Sequence, residues 1–172
     1  MTLAITDACT FMEICALELL VPFFSQEVNV HTTMDVFLEM PEEYQEQYGR
    51  FARDGKLELH NLSGEDHQML HAQNHPSVFS AADKTAFYLA LKLGITVISS
   101  DCSIRQYEPL NAVSQHGILW IIECLLGKGL ITQGEAAAKL SALLHLNGFH
   151  YAPRVKTEME ARLKEWQNIF DN

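Results

Sequence analysis

The stretch Ser80-Ala-Ala-Asp-Lys-Thr-Ala-Phe-Tyr-Leu-Ala-Leu-Lys-Leu-Gly-Ile-Thr-Val-Ile-Ser-Ser-Asp101 reads as a helix, a stop, a strand and an acid. Asp83, Ala86, Phe87, Ala90 and Leu91 recur at helical spacing, the Ser80 segment opens the helix, and Gly94 ends it. Ile95-Thr96-Val97-Ile98 is an unbroken β-branched run, the kind that fills a strand covered on both faces. The N-terminus repeats the logic: a short apolar run from Leu3 to Thr6, then Asp7, then a helical pattern from Cys9 to Leu20.

Between these segments, Val28 to His31 reads as a strand, and Thr32 or Thr33 caps a helix carrying Met34, Val36, Phe37, Leu38 and Met40. Pro41 permits a fresh helical start, Tyr44, Tyr48, Phe51 and Ala52 give Glu42 to Arg53 one apolar stripe, and Gly55 stops it before an alternating strand, Lys56 to His60. A helix is expected from Ser63 to about Asn74, with Pro76 ending it. Beyond Asp101 the pattern predicts a helix from Ser103 to Tyr107 and a short strand near Ala112 to Ser114. Helices over Ile118 to Leu126 and Glu135 to Leu146 follow, the last closed by Gly148. Pro153 to Phe170 alternates charges with Val155, Met159, Leu163 and Trp166, a surface helix with one apolar seam. Strands alternating with helices predict an α/β fold with a parallel sheet covered on both faces and a C-terminal helical extension.

The chain has 172 residues, 48% apolar and 20% charged, which suits one ordinary domain with a real core and excludes a disordered or coiled-coil chain. Twelve basic against 22 acidic residues give 12 − 22 = −10, a balance that argues against a generic nucleic-acid coat protein or a polybasic membrane binder. The longest apolar stretch, Gly117 to Leu126, is far too short for a bilayer and contains Glu123. No secretory leader is read at the start, and Cys9, Cys15, Cys102 and Cys124 lack any Cys-x-x-Cys or disulfide-dense spacing, so a cytoplasmic location with reduced thiols is expected.

In open parallel sheets, ligands gather where the strands end. Asp7 follows the first strand directly, and Asp101 follows Ile95 to Ile98 after two serines. Asp83 stands in the first turn of its helix, and Glu39 sits among Phe37, Leu38 and Met40. Four converging carboxylates would repel one another, and a divalent cation is the usual remedy; hard oxygen ligands select magnesium or manganese over zinc. The same residues also suit plainer roles as turn residue, helix cap and solvated helix face.

Ile5-Thr-Asp-Ala-Cys9, Val36-Phe-Leu-Glu39, Ser80 to Ala90, Leu93 to Asp101, Gly117-Ile-Leu-Trp120 and Lys128-Gly-Leu-Ile131 together resemble a PIN domain in order and spacing over roughly residues 2 to 150. The later motifs, with Leu144-x-x-Asn-Gly-Phe149, are similar to the subgroup found among bacterial and archaeal toxin-like proteins. The resemblance implies a three-layer α/β/α sandwich over residues 1–150; residues 151–172, beyond it, are expected from their own pattern to form a helix packed on that domain or on a partner. It also implies a metal-dependent endoribonuclease, a hydrolase of RNA phosphodiester bonds. Asp7, Glu39, Asp83 and Asp101 match the family's four acids and become the expected catalytic residues. Asp7, Asp83 and Asp101 would be ligands of Mg2+ or Mn2+, with Glu39 as a further ligand or water orienter. RNA as substrate, an antitoxin protein as partner and a homodimer are the implied associations. The chain departs from the family where Ala8 and Cys9 follow the first acid in place of a hydroxyl residue, and where Cys102 follows Asp101 in place of a second acid. Those departures motivate an alternative, a degenerate PIN-like module that binds proteins through its tail helix.

Other patterns carry less. His67, His71 and His75 recur at i, i+4, i+8, a conceivable zinc or nickel face or simply a polar one. Cys102 with His116 lacks an electropositive setting for a thiol nucleophile. Phosphatases with an aspartate after their first strand need a second two residues on, where Cys9 stands, and no phosphate-cradling glycine loop is present. Ser100 suits a carboxylate or phosphate contact as well as a turn. Lys84, Arg105 and Lys128 are the basic residues expected near the strand ends.

Overall fold

A computed structural model describes residues 1–73, 75–101, 104, 107–147 and 151–168. Arg105, Cys102, Gly148 and most of the helix expected over 103–107 lie outside these residues. Five strands, β1 (Thr2–Ile5), β2 (Asn29–Thr33), β3 (Leu57–His60), β4 (Thr96–Ile98) and β5 (Gln115–His116), form one sheet in the order β3-β2-β1-β4-β5. Every pairing is parallel, with Leu3 beside Val30 and Thr96, and Val30 beside Leu57.

The helices are α1 (Ala8–Ala16), α2 (Leu20–Ser25), α3 (Met34–Glu39), α4 (Glu42–Arg53), α5 (Gly64–His71), α6 (Ala81–Leu93), α7 (Ile118–Gly127), α8 (Gln133–Asn147) and α9 (Pro153–Asn168). They cover both faces, so the chain is an α/β/α sandwich. Alternation along β1 feeds two cores: Leu3 and Ile5 join Phe11, Phe23, Phe24 and Tyr48, while Ala4 joins Phe79, Phe87 and Val97 on the other face. Phe11 and Tyr48 meet edge to face at 4.8 Å, and the Tyr48 hydroxyl donates to the Phe11 carbonyl at 2.8 Å, so this buried tyrosine keeps a partner.

Three local expectations need correction. The single helix expected over Cys9 to Leu20 is two, because Glu18 takes a left-handed φ of 53°. The amides of Glu18 and Leu19 reach back to the carbonyls of Cys15 and Ile14, closing α1 with the motif that glycine usually serves. The helix beginning after Ser63 ends at His71, short of Asn74, and His75 lies beyond it. The last strand is Gln115–His116 and not Ala112–Ser114, since Glu108–Ala112 winds into a short 3₁₀ helix with Pro109 in its first turn. Gly94, at φ 63°, ends α6 as its sequence requires.

The tail helix belongs to the same molecule's core. Met159 and Trp166 are buried with the residues under α7 and α8, Gln133 donates to the Trp166 carbonyl at 2.9 Å, and Arg162 pairs with Glu123 at 2.8 Å. No helix among the described residues is long and apolar enough to cross a membrane.

Candidate functional site

The strand order reverses between β1 and β4, since the chain builds outward through β2 and β3 and then returns to the other side of β1. That reversal opens a crevice at the carboxyl ends of β1 and β4. Asp7 and the segment Ser99-Ser100-Asp101 leave these two neighbouring strands there.

Asp7 is the N-cap of α1. Its Oδ1 accepts the Thr10 amide at 2.7 Å and its Oδ2 the Thr10 hydroxyl at 3.0 Å. The hydroxyl that the sequence lacks directly after this acid is therefore supplied one turn on, by Thr10. Thr10 in turn accepts the Ser100 amide at 2.9 Å, which locks the end of β4 to the start of α1. Asp7 is only 7% exposed, and burial raises its carboxyl to about 6 against the opposing help of the Ser99 and Thr10 donors.

Glu13, two turns along α1 from Asp7, is the residue that sequence reasoning missed. It is buried at 6% exposure, its Oε1 accepts the Tyr151 hydroxyl at 2.7 Å, and its Oε2 accepts the Ser100 hydroxyl. The signal was a lone acid within Phe11-Met12-Glu13-Ile14, an apolar run that puts it on the inside of its helix. Cys9, Met12, Glu13, Ala16, Tyr44, Ser100, Asp101, Leu146 and Tyr151 line a cleft of about 570 Å³ over this network. Met12, Ala16, Tyr44 and Leu146 are its apolar lining, and Glu13, Ser100, Asp101 and Tyr151 carry its polar groups.

Asp83 opens α6 in a reciprocal cap: its Oδ2 accepts the Ser80 amide at 2.8 Å while its own amide donates to the Ser80 hydroxyl at 3.0 Å. Thr33, at the end of β2, and Thr85, early in the second turn of α6, share a hydrogen bond at 3.0 Å, which ties the start of α6 to the carboxyl end of β2. Burial pushes the Cys9 thiol up, and the negative charges of Asp7, Glu13, Asp101 and Asp83 push it further. A thiolate nucleophile is therefore disfavoured at Cys9. Burial, then Asp83, then Asp35 raise the Glu39 carboxyl. Asp83 thus bears electrostatically on both Cys9, two residues after Asp7, and Glu39. Asp7, Glu39 and Asp83 do not line the cleft itself.

These carboxylates do not close to common ligand distance. Among the described residues, three candidate ligand atoms come within 4.8 Å of one another only at His31, Glu58 and His60. Magnesium and manganese keep several waters and take only one or two protein carboxylates plus substrate phosphate, so a three-ligand cluster is not what such an ion requires. A buried, hydrogen-bonded carboxylate among like charges is also the hard oxygen donor such an ion prefers.

The basic residues are divided. Lys84 follows Asp83 at the strand-end edge and lines a groove of about 470 Å³ with Asp35, His67, His71 and His75. Lys128 stands at the opposite edge, donating at 2.8 Å to Gln26, three residues ahead of β2. The reason is helix direction: α7 starts beside the end of β5 and runs back across the sheet, so its last residues reach the amino ends of the strands. His75 bonds Tyr107 at 2.9 Å outside α5, so the three evenly spaced histidines do not share one helix face. No protein-family model matches the chain, and no curated protein matches it significantly.

Proposed function

We propose that this chain is a PIN-like, magnesium- or manganese-dependent endoribonuclease. The observation that carries the reading is the placement of Asp7 and Asp101 at the ends of adjacent parallel strands, at the reversal of strand order, with Asp83 charge bearing on the same point. Asp7, Asp83 and Asp101 would hold the ion, and Glu39, beside Asp83, would orient water. When bound, the ion lowers the pKa of an attached water and offsets charge on the attacked phosphate. Thr10 and Ser99 aim the Asp7 carboxylate, Ser100 and Tyr151 fix Glu13 beneath the cleft, and Lys84 offers a cation for the RNA backbone.

A toxin partnered by an antitoxin fits the apolar walls of the cleft, Met12, Ala16, Tyr44 and Leu146, which suit an inserted peptide better than a nucleic-acid backbone. The same walls and the net charge of −10 favour the second reading, a degenerate module that binds protein only. Incubating the protein with single-stranded and structured RNA separates them. The nuclease reading expects cleavage that needs Mg2+ or Mn2+ and falls at least about a hundredfold in Asp101→Asn. Equal cleavage by the two proteins overturns it.

A further inference from the structure

We propose that His31, Glu58 and His60 form a zinc-binding site on the β2–β3 border of the sheet, separate from the strand-end acids. Parallel register builds it: His31 pairs with Glu58 and Thr33 with His60, so the three side chains rise from one face at neighbouring positions. His31 Nδ1 and His60 Nε2 are 2.9 Å apart, and Glu58 Oε2 lies 3.6 Å from the first and 3.8 Å from the second. Zinc bonds of roughly 2.0–2.1 Å in a tetrahedral shell separate ligand atoms by about 3.3 Å, a value these edges straddle.

The surroundings are those of a supported ligand set. Glu58 Oε1 accepts Asn29 Nδ2 at 3.4 Å, which turns Oε2 toward the two imidazoles. His31 is held within the sheet at 9% exposure, while the Glu58 and His60 side chains are 46% and 29% exposed, leaving a fourth position open to water or a ligand. Two nitrogens and one oxygen select zinc over magnesium, whereas the strand-end carboxylates select the reverse, so the two sites take different ions. This inference does not depend on the nuclease reading.

The test is calorimetric titration of the whole chain with Zn2+, repeated with Co2+ and read by visible absorption. The expected result is one tight equivalent of zinc, with intense tetrahedral cobalt bands and no sulfur charge-transfer band. Affinity should fall at least about tenfold in Glu58→Gln and in His60→Ala, removal of a ligand costing no less than removal of its outer support. Zinc should also raise the melting temperature of the wild type and not of Glu58→Gln. Asp7→Asn and a His67→Ala/His71→Ala double variant should keep the site. Glu58→Gln, a near-isosteric change on an exposed side chain, decides the matter even if His60→Ala fails to fold. No zinc uptake by the wild type, equal uptake by Glu58→Gln, or loss with the His67/His71 pair overturns the proposal.

Discussion

Burying Asp7 at the end of β1 costs stability whenever its carboxyl is ionised, because the Thr10 and Ser99 donors do not fully replace water. Its folded value is raised from 3.8 to about 6, so across that interval the folded chain keeps a proton that the unfolded chain has lost. The contribution is therefore neutral below about pH 4, turns unfavourable as pH rises through about 6, and stays so above. Asp7→Asn, which keeps the cap acceptor, should stabilise the metal-free protein near pH 7.5 by up to about 3 kcal/mol, with no gain near pH 3.5. Urea unfolding at the two pH values measures it. Magnesium should narrow or reverse the difference, since only the wild type carries the charge an ion needs. The positions of Asp7 and Asp101 just past β1 and β4 were legible in the sequence because each follows an apolar run that ends abruptly. Glu13 was not, because its partner Tyr151 lies 138 residues away and a single acid in a helix most often faces water.

At the level of elements, α6 and β4 were readable because their signals are local: a reciprocal cap at Ser80 and Asp83, a helical stripe, a left-handed glycine, then a β-branched run. Ser80→Ala should lower stability by about 1 kcal/mol, read as a lower urea midpoint with an unchanged slope. The break after α1 has no local signal, because Glu18 occupies a left-handed conformation for which a sequence ordinarily shows glycine or asparagine. Nearness in sequence to the strand-end motifs does not place Lys128, because α7 carries the chain back across the sheet and sets this lysine beside Gln26, ahead of β2.

For the molecule as a whole, the class of fold followed from alternating strands and helices, but the order β3-β2-β1-β4-β5 rests on pairings between distant segments that no local pattern encodes. The tail illustrates the same gap. Its apolar seam was evident, while its occupant, the α8 side of the domain, was fixed only in three dimensions. Trp166, 5% exposed, should cost about 3 kcal/mol or more when replaced by alanine, seen as a melting temperature lowered by several degrees. The bond from Tyr151 to Glu13 has a consequence in time as well as in space. A nascent polypeptide extended only as far as Asp101 already contains Asp7, Glu39 and Asp83, yet the wall that Tyr151 and Leu146 give the cleft has still to be translated. Maturation of the cleft is therefore late, and it waits on residues that contribute none of the acids.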